Sequence, residues 1–124
     1  MCRPSPSPTL AAVAREGGLE LALETLPEGG AVVRVDGELD LATAPELEDL
    51  LARVNLGERV VIDLSPCTFL DSSAVRVLIT TIRDAGERGG AVSLVAPDPG
   101  VARVLEIASV DTMATVHPTL DAAL

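Results

Sequence analysis

The sequence predicts one α/β domain, a single mixed β-sheet of about four to five strands with helices packed mainly on one face. Two early segments alternate apolar and polar residues, as half-buried antiparallel strands do. Later segments switch between short β-branched runs and apolar residues spaced by three and four, the spacing of one helical face. The chain has 124 residues, 48% of them apolar and one aromatic, which predicts a single aliphatic core.

The start of the chain predicts a flexible N-terminal tail, residues 1–18, ahead of a domain at residues 19–124. Residues 1–9 alternate Pro and Ser and show no apolar period. Residues 10–16 are sufficiently apolar for a turn of helix, which the following Gly-Gly pair would end.

The next segments predict a hairpin and a helix. Residues 19–24 alternate apolar and polar side chains, and residues 31–35 return after a Pro-Glu-Gly-Gly turn. The helix begins at Thr43, which with Glu46 fits a capping box. Its buried face is predicted at Leu47, Leu50, Leu51 and Val54. Gly57 ends it.

The centre of the chain predicts a strand, a turn and a second helix. Residues 60–62 form a β-branched run, which a Ser-Pro pair soon interrupts. A short apolar piece, residues 67–70, leads into Asp71, Ser72 and Ser73, after which the apolar spacing becomes helical. The two serines therefore lie in the first turn of a helix, beside an acid.

The C-terminal third predicts a strand, a helix and two short elements. Residues 91–95 read as a strand, and the next helix begins with Asp98 as N-cap and Pro99 at its first position. Residues 113–116 predict a last short strand, and residues 119–124 a final helical turn.

The composition argues against two classes of partner. The net charge is −10 and all nine basic residues are scattered Arg, which predicts no nucleic-acid binding. No apolar run approaches the roughly 20 residues of a membrane span, and residues 10–14 are too short for a signal-peptide core. We therefore expect a cytoplasmic protein without a membrane partner. The acidity serves either solubility or a partner with a basic face.

Catalysis is not predicted. A serine hydrolase needs a base beside its nucleophile, and the sole His, His117, shows no sequence relation to Ser72. The Gly-x-Ser-x-Gly elbow is absent. No phosphate-binding loop or dinucleotide fingerprint occurs, so no cofactor is predicted.

Metal and redox sites are also not predicted. Asp36, Glu38 and Asp40 offer three carboxylates, but without the loop spacing or His/Cys cluster of a metal site. A solvated acidic loop is the favoured interpretation. Cys67 lies in an apolar segment and is predicted as a small core residue, while Cys2 lies in the predicted tail.

Ser72 and Ser73 have two interpretations at this helix start. Either one of the two serines caps the helix, or one of the two serines accepts a phosphate group. The helix dipole stabilises a phosphate there by roughly 0.3–1 kcal/mol, so the fold should survive. If the partner presents an acidic surface, the same charge weakens binding by on the order of several kcal/mol. Phosphorylation is thus hypothesised to switch binding and to leave the domain folded.

Three motifs in order resemble a known family. The motif Gly-Glu-Leu-Asp at residues 37–40, the strand at residues 61–65 and Phe-Leu-Asp-Ser-Ser at residues 69–73 are similar to the STAS-domain family of bacterial anti-sigma factor antagonists. The resemblance covers residues 19–124. It implies a small sheet with helices against one face.

The resemblance also implies a partner-switching function. Unphosphorylated members bind an anti-sigma factor that is also a serine kinase of the ATPase-fold type, which frees a sigma factor for transcription. The kinase then phosphorylates the first serine after the Asp, here Ser72, and a phosphatase resets the cycle. Matching positions imply Asp40 and Asp71 on the kinase-facing surface, with Ser73 as helix cap or contact.

Two positions near Ser72 depart from the family pattern, and both are assigned to the partner surface. Ala74 stands where Gly is frequent, and its methyl group is expected to crowd a close backbone contact. Arg76 stands where a small residue is frequent. Its guanidinium has three interpretations: it pairs with a phosphate on Ser72, it pairs with an acidic partner, or it is solvated. The alternative function for the same fold is a scaffold or accessory subunit of a transporter or signalling assembly.

Overall fold

The computed structural model describes residues 9–16 and 19–124, and within them lie seven strands and four helices. The strands are β1 Thr9–Glu16, β2 Leu19–Thr25, β3 Ala31–Leu39, β4 Arg59–Asp63, β5 Cys67–Leu70, β6 Ala91–Val95 and β7 Thr115–His117. The helices are α1 Ala44–Leu51, α2 Ser72–Glu87, α3 Pro99–Ile107 and α4 Leu120–Ala123. A short 3-10 turn, Val110–Thr112, precedes β7. The predicted α/β class with a mixed sheet is confirmed.

The strands form one mixed sheet. β1, β2 and β3 pair antiparallel, and β3 then pairs in parallel with both β4 and β5. β6 continues in parallel from β4, and β7 from β6. Arg34 lies opposite Asp63 and Leu39 opposite Leu70, so β4 and β5 follow each other along one edge of β3. β4 therefore pairs with the first part of β3 and β5 with its last part, so β5 ends beside the last residue of β3.

The turn between β2 and β3 requires glycine at position 30. Gly30 has a φ of +102°, and a Cβ there would lie 2.4 Å from the carbonyl oxygen of Arg59. Only Gly accepts both the backbone conformation and the close approach of β4. The predicted hairpin is confirmed, with the alternating residues Leu19, Leu21 and Leu23 all buried.

An aliphatic core fills the space between the sheet and the helices α1, α2 and α3. Its large, fully buried side chains include Leu21, Leu39, Leu47, Ile62, Leu64, Leu78, Leu94 and Leu105. Each such side chain stabilises the fold by roughly 1.5–3 kcal/mol on burial. On the opposite face α4 covers a smaller cluster that contains Val32, Val61 and Val95. The helices thus pack mainly on one face, as predicted.

The helix boundaries follow local capping. Asp98 caps α3 as predicted, because its Oδ2 accepts a 3.0 Å hydrogen bond from the Val101 amide, and Pro99 occupies the first position. Thr119 caps α4 through the Ala122 amide.

Nowhere in residues 9–16 and 19–124 is a helix both long and apolar enough to cross a lipid bilayer.

Two segments differ from their predictions. Residues 10–16, predicted as a turn of helix, belong to β1, which pairs with β2. Residues 67–70 form β5, so the sheet has seven strands and not four to five. Short apolar runs are compatible with either helix or strand, and here the free edges of β2 and β3 select the strand. Residues 1–8 and 17–18 of the predicted tail lie outside the described residues.

Candidate functional site

The site lies where two parallel strands end side by side. Asp40 follows the last residue of β3 and Asp71 follows the last residue of β5, and those last residues are register partners. The Asp71 amide donates a 3.1 Å hydrogen bond to the carbonyl oxygen of Leu39, which extends the ladder by one bond. Carboxyl ends of neighbouring parallel strands form a common edge, a frequent position of binding sites in such sheets. Asp40 and Asp71 are therefore brought together at this edge.

Asp71 caps α2. Its backbone is extended, and its Oδ1 accepts hydrogen bonds from the amides of Ser73 (2.9 Å) and Ala74 (3.2 Å). Ser72 is thus the first helical residue and Ser73 the second. The prediction that one of the serines caps the helix is wrong, because the preceding carboxylate accepts from the amides that a serine cap would need.

Asp40 organises the turn before α1 in the same way. Its Oδ1 accepts from the amides of Ala42 and Thr43, each at 3.0 Å. The buried Thr43 hydroxyl donates to the carbonyl oxygen of Glu38 and accepts from the Asp40 amide, both at 2.9 Å. The predicted capping box of Thr43 and Glu46 is therefore wrong, since the Asp40 carboxylate and carbonyl already accept from the Thr43 amide.

Both aspartates leave one oxygen available. Within residues 19–124, Oδ2 of Asp40 and Oδ2 of Asp71 make no hydrogen bond or ion pair. Both side chains are partly exposed. The bonds through Oδ1 fix each carboxylate, and the second oxygen can accept a hydrogen bond from an approaching donor.

Ser72 is exposed at the mouth of an open groove between α1 and α2. The groove has a volume of about 410 Å³ and is lined by Leu41, Ala44, Pro45, Glu48, Ser72, Ser73, Arg76, Val77 and Thr80. The Ser72 hydroxyl makes no hydrogen bond to any described residue. Neither the cap of α2 nor the core depends on this hydroxyl, which leaves it available to react.

The residues predicted beside Ser72 divide into two groups. Ser73 and Arg76 line the groove together with Ser72. Ala74 is fully buried and packs in the core, which contradicts its predicted place on the partner surface. The physical reason is helix geometry, because the third helical residue of α2 faces the sheet while the first and fifth face the groove.

Two exposed apolar side chains at the same edge were not predicted as site residues. Leu41, between β3 and α1, is 75% exposed, and Phe69 in β5 is 48% exposed. Large exposed apolar side chains beside polar groups are a feature of protein-binding surfaces. The sequence signal for Leu41 is its position outside the spacing of the buried face of α1.

The sheet register separates His117 from Ser72. His117 lies opposite Val95, Val95 opposite Asp63, and Asp63 opposite Arg34. Ser72 follows β5, whose last residue pairs with Leu39, five residues further along β3 than Arg34. At about 3.3 Å per residue this places the two side chains roughly 16 Å apart along the strands. A Ser72–His117 catalytic pair is therefore excluded by the register.

Cys67 is a buried core residue, as predicted. Burial raises the pKa of its thiol above the ordinary value, and the Sγ lies 3.2 Å from the carbonyl oxygen of Phe69 as a donor. Burial therefore disfavours the thiolate, which is the reactive form of a cysteine. Among the residues described, no group of three or more His, Cys, Asp or Glu side chains is arranged to hold a metal ion.

Comparisons with known proteins give consistent matches. A family model described as STAS domain matches residues 22–123. The anti-sigma-F factor antagonist RsfA of Mycobacterium tuberculosis is 30% identical over 101 residues, which cover 78% of this chain and 79% of RsfA. The crystal structure of an anti-sigma factor antagonist from Mycobacterium paratuberculosis matches with a TM-score of 0.75 and 33% identity, over 85% of this chain and 90% of that one.

A more distant structure shares the fold. The Bacillus cell fate determinant SpoIIAA in its phosphorylated form matches with a TM-score of 0.63 at 19% identity. The match covers 82% of this chain and 95% of SpoIIAA. At this identity the likeness concerns the arrangement of the sheet and helices.

Proposed function

Because the chain belongs to the STAS-domain family, we propose that it acts as an anti-sigma factor antagonist, which binds an anti-sigma factor and so frees a sigma factor for transcription. The names of RsfA and of the Mycobacterium paratuberculosis protein support this role. The observation that carries the proposal is the exposed Ser72 at the mouth of the groove between α1 and α2, directly after Asp71 at the edge where β3 and β5 end. The protein works in the cytoplasm, by binding and not by catalysis.

The finer part of the proposal is that the anti-sigma factor is a serine kinase that modifies Ser72. The kinase transfers the γ-phosphoryl group of ATP to Ser72 Oγ, the hydroxyl proton passes to a base of the kinase, and ADP leaves. A phosphatase later hydrolyses the phosphate ester and restores the hydroxyl. The exposure of Ser72 and its absence from the cap of α2 support this choice of acceptor.

The proposed docking surface combines charge with apolar contact. Asp40 and Asp71 offer their Oδ2 atoms to basic groups of the partner, and Leu41, which lines the groove, enters an apolar pocket. Ser73 and Arg76, which line the groove with Ser72, lie within the same surface. A partner with basic residues around an apolar pocket fits this arrangement.

Release after phosphorylation has an electrostatic cause. A kinase must hold the nucleotide phosphates close to Ser72, so the new phosphate faces the phosphates of the bound nucleotide. Two like charges 4 Å apart repel by about 4 kcal/mol at the effective dielectric constant of a protein surface. Basic groups of the partner offset part of this repulsion, so, at about 1.4 kcal/mol for each tenfold in affinity, binding should weaken by at most about a thousandfold.

The experiment is incubation with candidate anti-sigma factors and ATP, followed by site mapping and affinity measurement. We expect phosphate on Ser72, loss of it in Ser72→Ala, and weak binding by Ser72→Asp. Ser73→Ala, one residue away, tests the choice between the two serines and should still be phosphorylated at Ser72. Phosphate elsewhere in the chain, or equal affinities of Ser72→Asp and Ser72→Ala, would contradict the switch. Stable recovery with transporter subunits instead of an anti-sigma factor would favour the scaffold function.

A further inference from the structure

Arg76 lies one helical turn after Ser72. Residues four apart on a helix are neighbours on its surface, and both side chains line the groove between α1 and α2. Arg76 is exposed, and it makes no ion pair or hydrogen bond to any described residue. The guanidinium is therefore a free cation directly beside the proposed phosphate acceptor.

The amides at the start of α2 are already occupied. Asp71 Oδ1 accepts from the amides of Ser73 and Ala74, and the Asp71 carbonyl accepts from the Val75 amide at 3.0 Å. Of the first four amides of α2, three are thus bonded to Asp71. A phosphoryl group on Ser72 could use these three only by displacing the cap, and it would do so beside the negative charge of Asp71.

The groove offers one charged donor as an alternative to those amides. Its lining contains a single cation, Arg76, and a single acid, Glu48. A guanidinium can bond two phosphoryl oxygens at once, which an amide cannot. Resting on the proposed function, we infer that Arg76 binds the phosphoryl group of phosphorylated Ser72 and holds it in the groove between α1 and α2.

Arg76 is a positioning residue in this arrangement. It keeps the phosphate in the groove that Ser72 and Arg76 both line, away from the cap of α2. The phosphate then lies in the groove, which is part of the proposed docking surface. Phosphorylation therefore closes part of the docking surface, in addition to adding charge to it.

The test uses full-length protein with phosphoserine incorporated at position 72 during translation, so it does not depend on any kinase. A ³¹P NMR titration gives the pKa of the phosphate. We expect it to be about 0.3–0.7 lower in the parent chain than in Arg76→Gln, because the guanidinium favours the dianion. This difference should shrink at 1 M salt, where exposed charges are screened within about 3 Å.

Two further variants make the result specific. Arg83→Gln removes another exposed cation of α2, about 16 Å from Ser72 along the axis, and should leave the phosphate pKa unchanged. Arg76→Lys should recover part of the difference, since a lysine keeps the charge but lacks the two-pronged geometry. Without phosphate, Arg76→Gln and the parent should unfold at the same temperature.

The outcomes separate this inference from the proposed function. Equal phosphate pKa values in the parent and in Arg76→Gln would overturn the role of Arg76, even if a kinase modifies Ser72. A lowered pKa in the parent would support that role, even if no kinase is found for Ser72. A drop in the unfolding temperature of unphosphorylated Arg76→Gln, together with equal phosphate pKa values, would assign Arg76 a structural role only and would overturn the inference.

Discussion

Replacing Asp71 separates its two roles, the cap of α2 and the proposed partner contact. Asp71→Ala removes the acceptor of two amide hydrogen bonds, at 2.9 and 3.2 Å. Loss of an N-cap acceptor costs about 1 kcal/mol, within a range of 0.5–2 kcal/mol. The variant should therefore be folded but less stable than the parent.

The size of the expected effect follows from the length of the chain. The entropy of unfolding is about 2.1 cal/mol/K per residue, so 124 residues give about 0.26 kcal/mol/K. A loss of 1 kcal/mol then lowers the midpoint of thermal unfolding by about 4 °C. Thermal unfolding followed by circular dichroism measures this shift. Urea unfolding at constant slope verifies that the denatured state is unchanged.

Asp71→Asn is the matched control. Asn is as good an N-cap as Asp, so it keeps the Oδ1 acceptor and should stay within about 1–2 °C of the parent. It replaces Oδ2 by an amide and removes the charge, so binding to a basic partner surface should weaken. An Asp71→Ala protein as stable as the parent would refute the capping argument. Equal destabilisation by Ala and Asn would show that charge, and not the acceptor, stabilises α2.

Two further predictions concern neighbouring side chains. Leu41→Ala should weaken binding to the anti-sigma factor by tenfold or more in a titration, because Leu41 is 75% exposed beside Ser72. The control Ile107→Ala should leave the affinity unchanged, since Ile107 is 71% exposed but lies at the end of α3. Equal effects of the two substitutions would show that Leu41 is not part of the docking surface. Ala74→Gly should lower the free energy of unfolding by about 1 kcal/mol and leave binding unchanged, since the methyl group is buried and Gly is a poorer helix former. If Ala74→Gly bound more weakly while its free energy of unfolding equalled that of the parent, Ala74 would have to be part of the docking surface.

Elements with a strong hydrophobic periodicity could be predicted from the sequence, and strands whose formation depends on pairing with another strand could not. The leucines of β2, the buried Leu47, Leu50 and Leu51 of α1 and the Asp98 cap of α3 each follow from local sequence, and the structure confirms them. The predicted end of α1 at Gly57 is wrong, because the helix ends at Leu51 and leaves Val54 outside it. β1 and β5 are short apolar runs whose state depends on the free edges of β2 and β3. The partner of β5 is distant in sequence, so local pattern cannot identify it, whereas β1 pairs with the next strand and its apolar run was equally compatible with a helical turn.

The candidate site shows the same division. The position of Ser72 in the first turn of a helix was predictable from the change in apolar spacing at residues 71–75. The caps were not, because Thr43 and Ser73 fit capping patterns as well as the aspartates that precede them. Leu41 was missed because an apolar side chain is expected to be buried, and only the tertiary structure leaves it exposed.

The placement of Asp40 and Asp71 in the proposed docking surface depends on strand register. Asp40 and Asp71 lie side by side because Leu39 pairs with Leu70, and each carboxylate is fixed by amides of its own turn. The register shifts between Gly37 and Glu38, where Gly37 has a φ of +117°. This bulge sets which residues of β3 face β5. A partner therefore meets carboxylates that are already ordered, and binding does not have to supply the entropy of fixing them.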